Sequence, residues 1–194
     1  MSFPISLIDG EPVWDSLPVA KIIDYPLEKR DYKPFAQARL CISPESVWVR
    51  LWAFEVTPSA GSTLAVSLDL RPSSAPGAYL FLSASHSGEL ATEVVTEARR
   101  TPMAEYLILP RVKSFVSEDL QGIYWGVVFE LPRLLLPKVY GTDELTAGMT
   151  VRGNLFKFDR EPGSEHYGSF YPVDFHAPDP FGERFFGDFE LVAY

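Results

Sequence analysis

Short apolar runs alternate along the chain with Pro, Gly and Ser residues, and the runs have the composition and period of β-strands. A single helical turn, delimited by Pro132, Pro137 and Gly141, is the one predicted break in this pattern. The predicted strands span residues 35–43, 46–56, 62–70, 77–85, 89–98, 104–110, 111–117, 122–131, 149–159 and 184–194.

Strands at this short spacing predict an all-β fold, and the most economical arrangement is an antiparallel β-sandwich with at most one or two short helical turns. The three runs between residues 35 and 70 predict an antiparallel meander. The chain has 194 residues and lacks a low-complexity linker. We therefore expect one domain that spans residues 1–194.

The clearest alternation lies in the sequence VWVRLWAFE, residues 47–55. Valine, leucine and alanine residues occupy one face, which predicts a core-facing side. Trp48, Arg50 and Trp52 occupy the other face. Because indole rings stack on sugar rings and a guanidinium donates to hydroxyls, this face is a candidate sugar-binding surface. In the alternative interpretation both faces are buried, one by a partner sheet and one by loops.

Charge and composition exclude some classes of partner. The net charge is −9 and the pI is about 4.8, which argues against binding to nucleic acid or to anionic membrane surfaces. The first residues lack the basic and apolar regions of a signal peptide, so we expect a cytoplasmic location, or an extracellular one if a leader has been removed. The lone Cys41 is expected to be a small buried hydrophobe. The oligomeric state is not predicted.

Catalytic signatures are missing. The sequence has no G-x-S-x-G, GxxxxGK[ST], H-E-x-x-H or C-x-x-C motif, so we predict that the protein is not an enzyme and assign no catalytic residue, metal ligand or cofactor. His166 and His176 with Asp174 or Asp179 match no standard metal-site spacing.

Acidic residues leave two further options open. Asp159, Glu161 and Glu165 form a loop that could hold calcium, although a solvated acidic loop is the alternative. The carboxylate pairs of glycoside hydrolases come from strands that are distant in the sequence, so they leave no local motif. A glycan-acting hydrolase that uses carboxylates such as Asp159, Glu165 or Asp174 is therefore the alternative function.

Two motifs near the end of the chain carry a family resemblance. GNLFK at residues 153–157 and FHAPDPFG at residues 175–182 are similar to motifs of family 9 carbohydrate-binding modules, although Leu155 is aliphatic where the family has an aromatic residue. The resemblance implies a DOMON-like β-sandwich that binds a mono- or oligosaccharide without catalysis. Two other functions stay open. The protein could be a relative that has lost sugar binding and serves protein interaction, or, by fold analogy alone, a haem or redox binder.

The resemblance also implies site residues. Asn154 and Lys157 match polar positions near the family's site, and Phe170 stands where relatives often have a stacking tryptophan. Phenylalanine has a smaller face and no N–H donor, so Tyr167 or Tyr171 would have to compensate.

Four further candidates come from their place in the chain and not from a matched motif. Trp52 or Trp125 would supply a second stacking ring on the other side of the sugar, and Arg50 and Glu55 would bind sugar hydroxyls. The predicted partner is a carbohydrate.

Overall fold

The protein is described by a computed structural model that covers residues 2–31, 33–71, 77–120 and 122–194. These residues contain thirteen strands, one α-helix and three 3₁₀ turns. The strands are β1 Phe3–Leu7, β2 Ala20–Ile22, β3 Phe35–Ile42, β4 Ser46–Phe54, β5 Thr63–Asp69, β6 Tyr79–Ser85, β7 Leu90–Val95, β8 Arg100–Pro102, β9 Arg111–Asp119, β10 Gly122–Pro132, β11 Thr150–Asp159, β12 His166–Ser169 and β13 Gly187–Ala193. The α-helix α1 is Leu135–Tyr140, and the 3₁₀ turns are Trp14–Ser16, Met103–Tyr106 and Glu183–Phe185.

One strand prediction is wrong. Residues 104–110 do not form a strand, because the 3₁₀ turn Met103–Tyr106 is followed by Leu107 in the left-handed region, with φ of 60°. Such a residue cannot continue an extended strand. The short strands β1, β2, β8 and β12 were not predicted, since three to five residues are too few for a period to show.

The helical turn begins later than Pro132. It starts at Leu135, so Pro137 lies in the first turn, where its missing N–H breaks no helical hydrogen bond. Gly141 ends the helix as predicted, with φ of 76° and its N–H donating to the Pro137 carbonyl at 3.0 Å. Across the described residues, no helix combines the length and apolar character needed to cross a membrane.

The strands form a curled sheet in the order β8-β7-β6-β5-β11-β13-β1-β3-β4-β10-β9, and its two halves pack face to face. The predicted antiparallel β-sandwich is confirmed for most strand pairs, while β1 is parallel to both β13 and β3. The predicted meander is correct for β3 and β4 only. β5 pairs with β6 and β11, so residues 55–62 cross from one half of the sandwich to the other.

Two apolar clusters account for this topology. The main core lies between the halves and joins Val49, Leu51 and Val127 on one side to Val66 and Leu82 on the other. β5 is buried along its whole length, so its outer face needs a second cover. The C-terminal segment 170–186 supplies that cover, with aromatic residues that pack on β6 and β11. Cys41 is buried as expected, and burial raises the pKa of its thiol to about 12.

Candidate functional site

A polar cavity lies at the end of the sandwich where β4 and β11 end and β5 and β12 begin. Its volume is about 300 Å³. Its polar and charged lining residues include Arg30, Glu55, Thr57, Ser59, Asp159 and His166. The crossing segment 55–62 forms one wall, because the chain passes here between the two halves of the sheet.

Lys157 lies beneath the cavity and has no solvent-exposed surface. Its ammonium group makes three contacts, which match its three protons. The Nζ atom lies 3.2 Å from Glu55 Oε1, donates to Ser62 Oγ at 2.8 Å, and lies 2.7 Å from His166 Nε2. A buried cation is thus paired and fully hydrogen-bonded, as a charge in a protein interior requires.

Glu55 anchors the other side of this network. Its Oε2 accepts hydrogen bonds from Trp125 Nε1 at 2.8 Å and from Ser62 Oγ at 2.7 Å. Burial alone would raise the pKa of the Glu55 carboxyl, but the Lys157 charge and these hydrogen bonds lower it. Burial lowers the pKa of Lys157, against the opposing effect of Glu55. The geometry is that of an ion pair.

The partners of His166 determine its tautomer. Nδ1 lies 2.7 Å from the Ser164 carbonyl oxygen, which can only accept, so Nδ1 carries the proton. Nε2 then accepts from Lys157. Burial lowers the pKa of His166, and the nearby Lys157 charge lowers it further. If His166 were protonated, its Nε2–H group and the Lys157 ammonium group would face each other as two donors without an acceptor. The neutral ring therefore fits this site.

Asp159 completes the polar wall. Its Oδ2 accepts from Ser59 Oγ at 2.6 Å and from Ser164 Oγ at 2.8 Å, and its Oδ1 accepts from the Glu161 N–H at 2.9 Å. Burial would raise the pKa of this carboxyl, but the hydrogen bonds lower it.

The carboxylates of the predicted calcium loop each bind a protein donor. Asp159 binds the groups named above, Glu161 accepts from the Gly61 N–H, and Glu165 accepts from the Tyr167 hydroxyl. In the part of the chain that the structure describes, no three His, Cys, Asp or Glu residues form a group that could hold a metal ion.

Trp52 and Trp125 lie on opposite faces of the sheet. Trp52 is opposite Gly126 in the β4–β10 register, whereas Trp125 is opposite Ala53. Trp125 faces the sandwich interior, with 5% of its surface exposed and its ring 5.3 Å from that of His86. The two rings therefore cannot face one ligand.

The outer face of β4 is largely covered. Trp52 is 8% exposed and lies between the guanidinium groups of Arg39 and Arg50, which are 5.7 and 5.4 Å from its ring. Arg50 also contacts the rings of Trp14 and Phe115. For Trp52, the interpretation in which both faces of the strand are buried is the one observed.

Asn154 has a structural role. It is fully buried, and its Nδ2 donates to the carbonyl oxygens of Tyr171 and Phe185 at 3.0 and 2.9 Å. Its Oδ1 accepts from the N–H groups of Leu155 and Tyr171 at 2.8 and 2.9 Å. With four hydrogen bonds made, no polar atom is left for a ligand.

Phe170 and Tyr171 pack on the main core beside Asn154. The Phe170 ring contacts Phe3 at 5.3 Å and Tyr171 at 4.7 Å, and stacks on Phe189 at 6.1 Å. The Tyr171 hydroxyl donates to the Asp188 carbonyl. These placements do not support the expected stacking roles of either ring.

Tyr167 borders a second cavity of about 410 Å³, which shares His166 with the first. Its ring is half-buried on Phe175, with centroids 5.4 Å apart, and its hydroxyl donates to Glu165 at 3.0 Å. Of the nine predicted residues, Glu55 lines the first cavity and Tyr167 lines the second. Lys157 and Trp125 contact Glu55 from below the first cavity without lining it.

Sequence reasoning missed Ser62 and the role of His166 in the network. One signal was available, since Lys157 is a cation that interrupts the apolar run at residues 155–158. Such a residue needs a buried anion close by. The identity of that anion depends on the crossing segment, which no local pattern predicts.

Three solved structures similar to this fold are one predicted carbohydrate-binding protein and two complexes of a carbohydrate-binding module. A predicted carbohydrate-binding protein from Bacteroides uniformis has a TM-score of 0.73 and 14% identity, covering 98% of each chain. A family 9 carbohydrate-binding module from Caldicellulosiruptor kristjanssonii in complex with cellotriose has a TM-score of 0.67 and 10% identity, covering 100% of this chain and 95% of that one. Its complex with glucose has a TM-score of 0.65 and 10% identity, covering 98% and 96%.

The chain therefore has a fold like that of family 9 carbohydrate-binding modules. No protein-family model and no curated protein matches the sequence.

Proposed function

We propose that the protein is a non-catalytic carbohydrate-binding module and that the polar cavity is its sugar site. The observation that carries this proposal is the hydrogen-bonded set of charged groups beneath a cavity of about 300 Å³. This volume is at the small end of the range for ligand pockets and suits a single sugar ring.

The cavity offers the hydrogen-bonding groups that a sugar needs. Glu55 Oε1 and Asp159 Oδ1 each accept one protein hydrogen bond here, and a carboxylate oxygen has room for about two. Thr57 and Ser59 bring hydroxyl groups to the wall, and Arg30 brings donors to the rim. Because the acceptors are held in place by Lys157 and Ser164, a ligand would not have to order them first.

The neighbours with this fold supply the first probes. The Caldicellulosiruptor module was solved with glucose and with cellotriose, so these are the sugars to test first.

A hydrolase is the weaker candidate because both carboxyls at the cavity have lowered pKa values. Glycoside hydrolysis requires one carboxyl that stays protonated near neutral pH. Burial raises the pKa of Asp69 to about 6, but Asp69 ends β5 at the far end of the sandwich from this cavity.

Calorimetric titration with glucose and cellotriose tests the proposal. Thr57 is exposed at the rim, so Thr57→Trp should fill the cavity and weaken sugar binding by about tenfold or more without changing the fold. Thr146→Trp places the same ring at an exposed position beyond the opposite end of β11 and should bind like the wild type.

Three results would contradict the proposal. Binding could be undetectable for both sugars, it could be unchanged by Thr57→Trp, or the purified protein could release reducing sugar from cellotriose. The last result would favour the hydrolase.

A further inference from the structure

The outer edge of β9 is long and exposed. β9 has nine residues and pairs with β10 on one side, while no strand of the described residues pairs with its other side. Val116 is 70% exposed and the Arg111 side chain is 83% exposed. An edge of this kind presents a row of backbone donors and acceptors that a further strand can pair with.

The charges along β9 favour one particular partner strand. Arg111 and Lys113 lie at its start, and Glu118 and Asp119 lie at its end. If two copies of β9 pair antiparallel about Phe115, then Arg111 of one copy is opposite Asp119 of the other at both ends. Opposite charges in directly facing positions stabilise a strand pair, so the strand is complementary to itself.

A row of aromatic rings leads to the same edge. Phe35, Phe54, Tyr124 and Phe115 come from β3, β4, β10 and β9 in that order. Neighbouring ring centroids are 5.8, 5.2 and 6.2 Å apart. The row ends at Phe115 on the unpaired strand. In the antiparallel arrangement above, Phe115 would face its own copy and the row would continue across both molecules.

We propose that the free edge of β9 is a homodimer interface in which the strand pairs antiparallel with β9 of a second copy, centred on Phe115. This interface is separate from the cavity, so the proposal does not depend on sugar binding. A single pair of nine-residue strands buries less area than a standard stable interface, so the dimer is a weak one.

Sedimentation equilibrium over a series of protein concentrations tests the proposal. Wild-type protein should dimerise reversibly. Arg111→Glu and Asp119→Lys should each weaken the dimer by about fivefold to tenfold, since each places like charges at both ends of the strand pair. The double variant should recover most of the lost affinity, because it exchanges the two charges and restores both facing pairs.

The double variant separates this mechanism from effects within one molecule. Positions 111 and 119 lie roughly 26 Å apart along one strand, at about 3.3 Å a residue, so they cannot rescue each other inside a single chain. Arg111 also contacts Glu130 at 3.3 Å, but that contact is lost equally in Arg111→Glu and in the double variant, so it does not account for recovery in the double variant. A monomer at all concentrations, or a dimer that no β9 variant weakens, would overturn the proposal.

Discussion

Two buried polar residues of the same strand, Lys157 and Asn154, show how differently one motif can use its side chains. Both have no exposed surface and both are fully hydrogen-bonded. They are three positions apart, so they point to opposite faces of β11. Lys157 faces the sandwich interior below the cavity, and Asn154 faces the C-terminal segment.

Their partners distinguish the two roles. Lys157 binds side chains, two of which can gain or lose a proton, and these groups line a cavity. Asn154 binds four backbone groups and holds the segment that covers β11. We infer that the first arrangement serves a ligand and the second serves the fold. Substitutions of the two residues and of their partners test this division.

Lys157→Met should destabilise the protein by about 3–5 kcal/mol, because it leaves the buried Glu55 carboxylate without its counter-charge. In Glu55→Gln/Lys157→Met the remaining amide is neutral and can still accept from Trp125 and Ser62. The double variant should therefore be more stable than Lys157→Met alone. Urea unfolding of both variants measures the difference, and a double variant that is less stable than the single one would show that the ion pair is unimportant.

Asn154→Ala should cost about 2–3 kcal/mol, because backbone groups of Tyr171 and Phe185 lose their partners in a buried position. Sugar affinity should not change at temperatures where the variant is folded. Phe170→Leu is a matched comparison on the same segment and should cost about 1–2 kcal/mol, also without a change in affinity. A folded Asn154→Ala variant with weakened sugar binding would place Asn154 in the site after all.

The sequence predicts the fold better than the site because alternation within a strand is a local property. The core face of β4 and the long strand β10 follow directly from their apolar residues. The relative register of two strands is not local. Trp52 and Trp125 would share a face if β10 were shifted by one residue against β4, and nothing in either strand excludes that shift.

The cavity is harder still to predict, since its groups come from separate strands. Glu55 and Ser62 meet Lys157 because the segment between them crosses the sandwich, whereas a meander was expected. His166 joins them because β12 pairs with the end of β11, which places it opposite Asp159. Family resemblance gave Lys157 and Asn154 the same expected role, and it could not distinguish the orientations of their side chains on β11.

The smallest expected effect concerns the pH dependence of stability. The pKa of His166 lies below its ordinary value of 6.5 in the folded protein, because burial and Lys157 disfavour the charged ring. As the pH falls below 6.5, the unfolded chain binds a proton before the folded protein does. The contribution of His166 to stability is therefore complete above that pH and is lost as the pH falls.

Thermal unfolding of the wild type and His166→Gln from about pH 7.5 to about pH 5.5 measures this contribution. The glutamine can still accept from Lys157 but does not titrate, so the wild type should lose more stability on acidification than the variant. Asp69 acts in the opposite direction in both proteins, since burial raises its pKa to about 6 and its contribution is lost as the pH rises. The charged groups near the ring, Lys157, Glu55, Asp159 and Glu28, are also common to both. If the stability of the wild type and of His166→Gln changed with pH in parallel, His166 would not be held in its neutral form. The network around Lys157 would then lack the fixed protonation state that distinguishes it from the backbone contacts of Asn154.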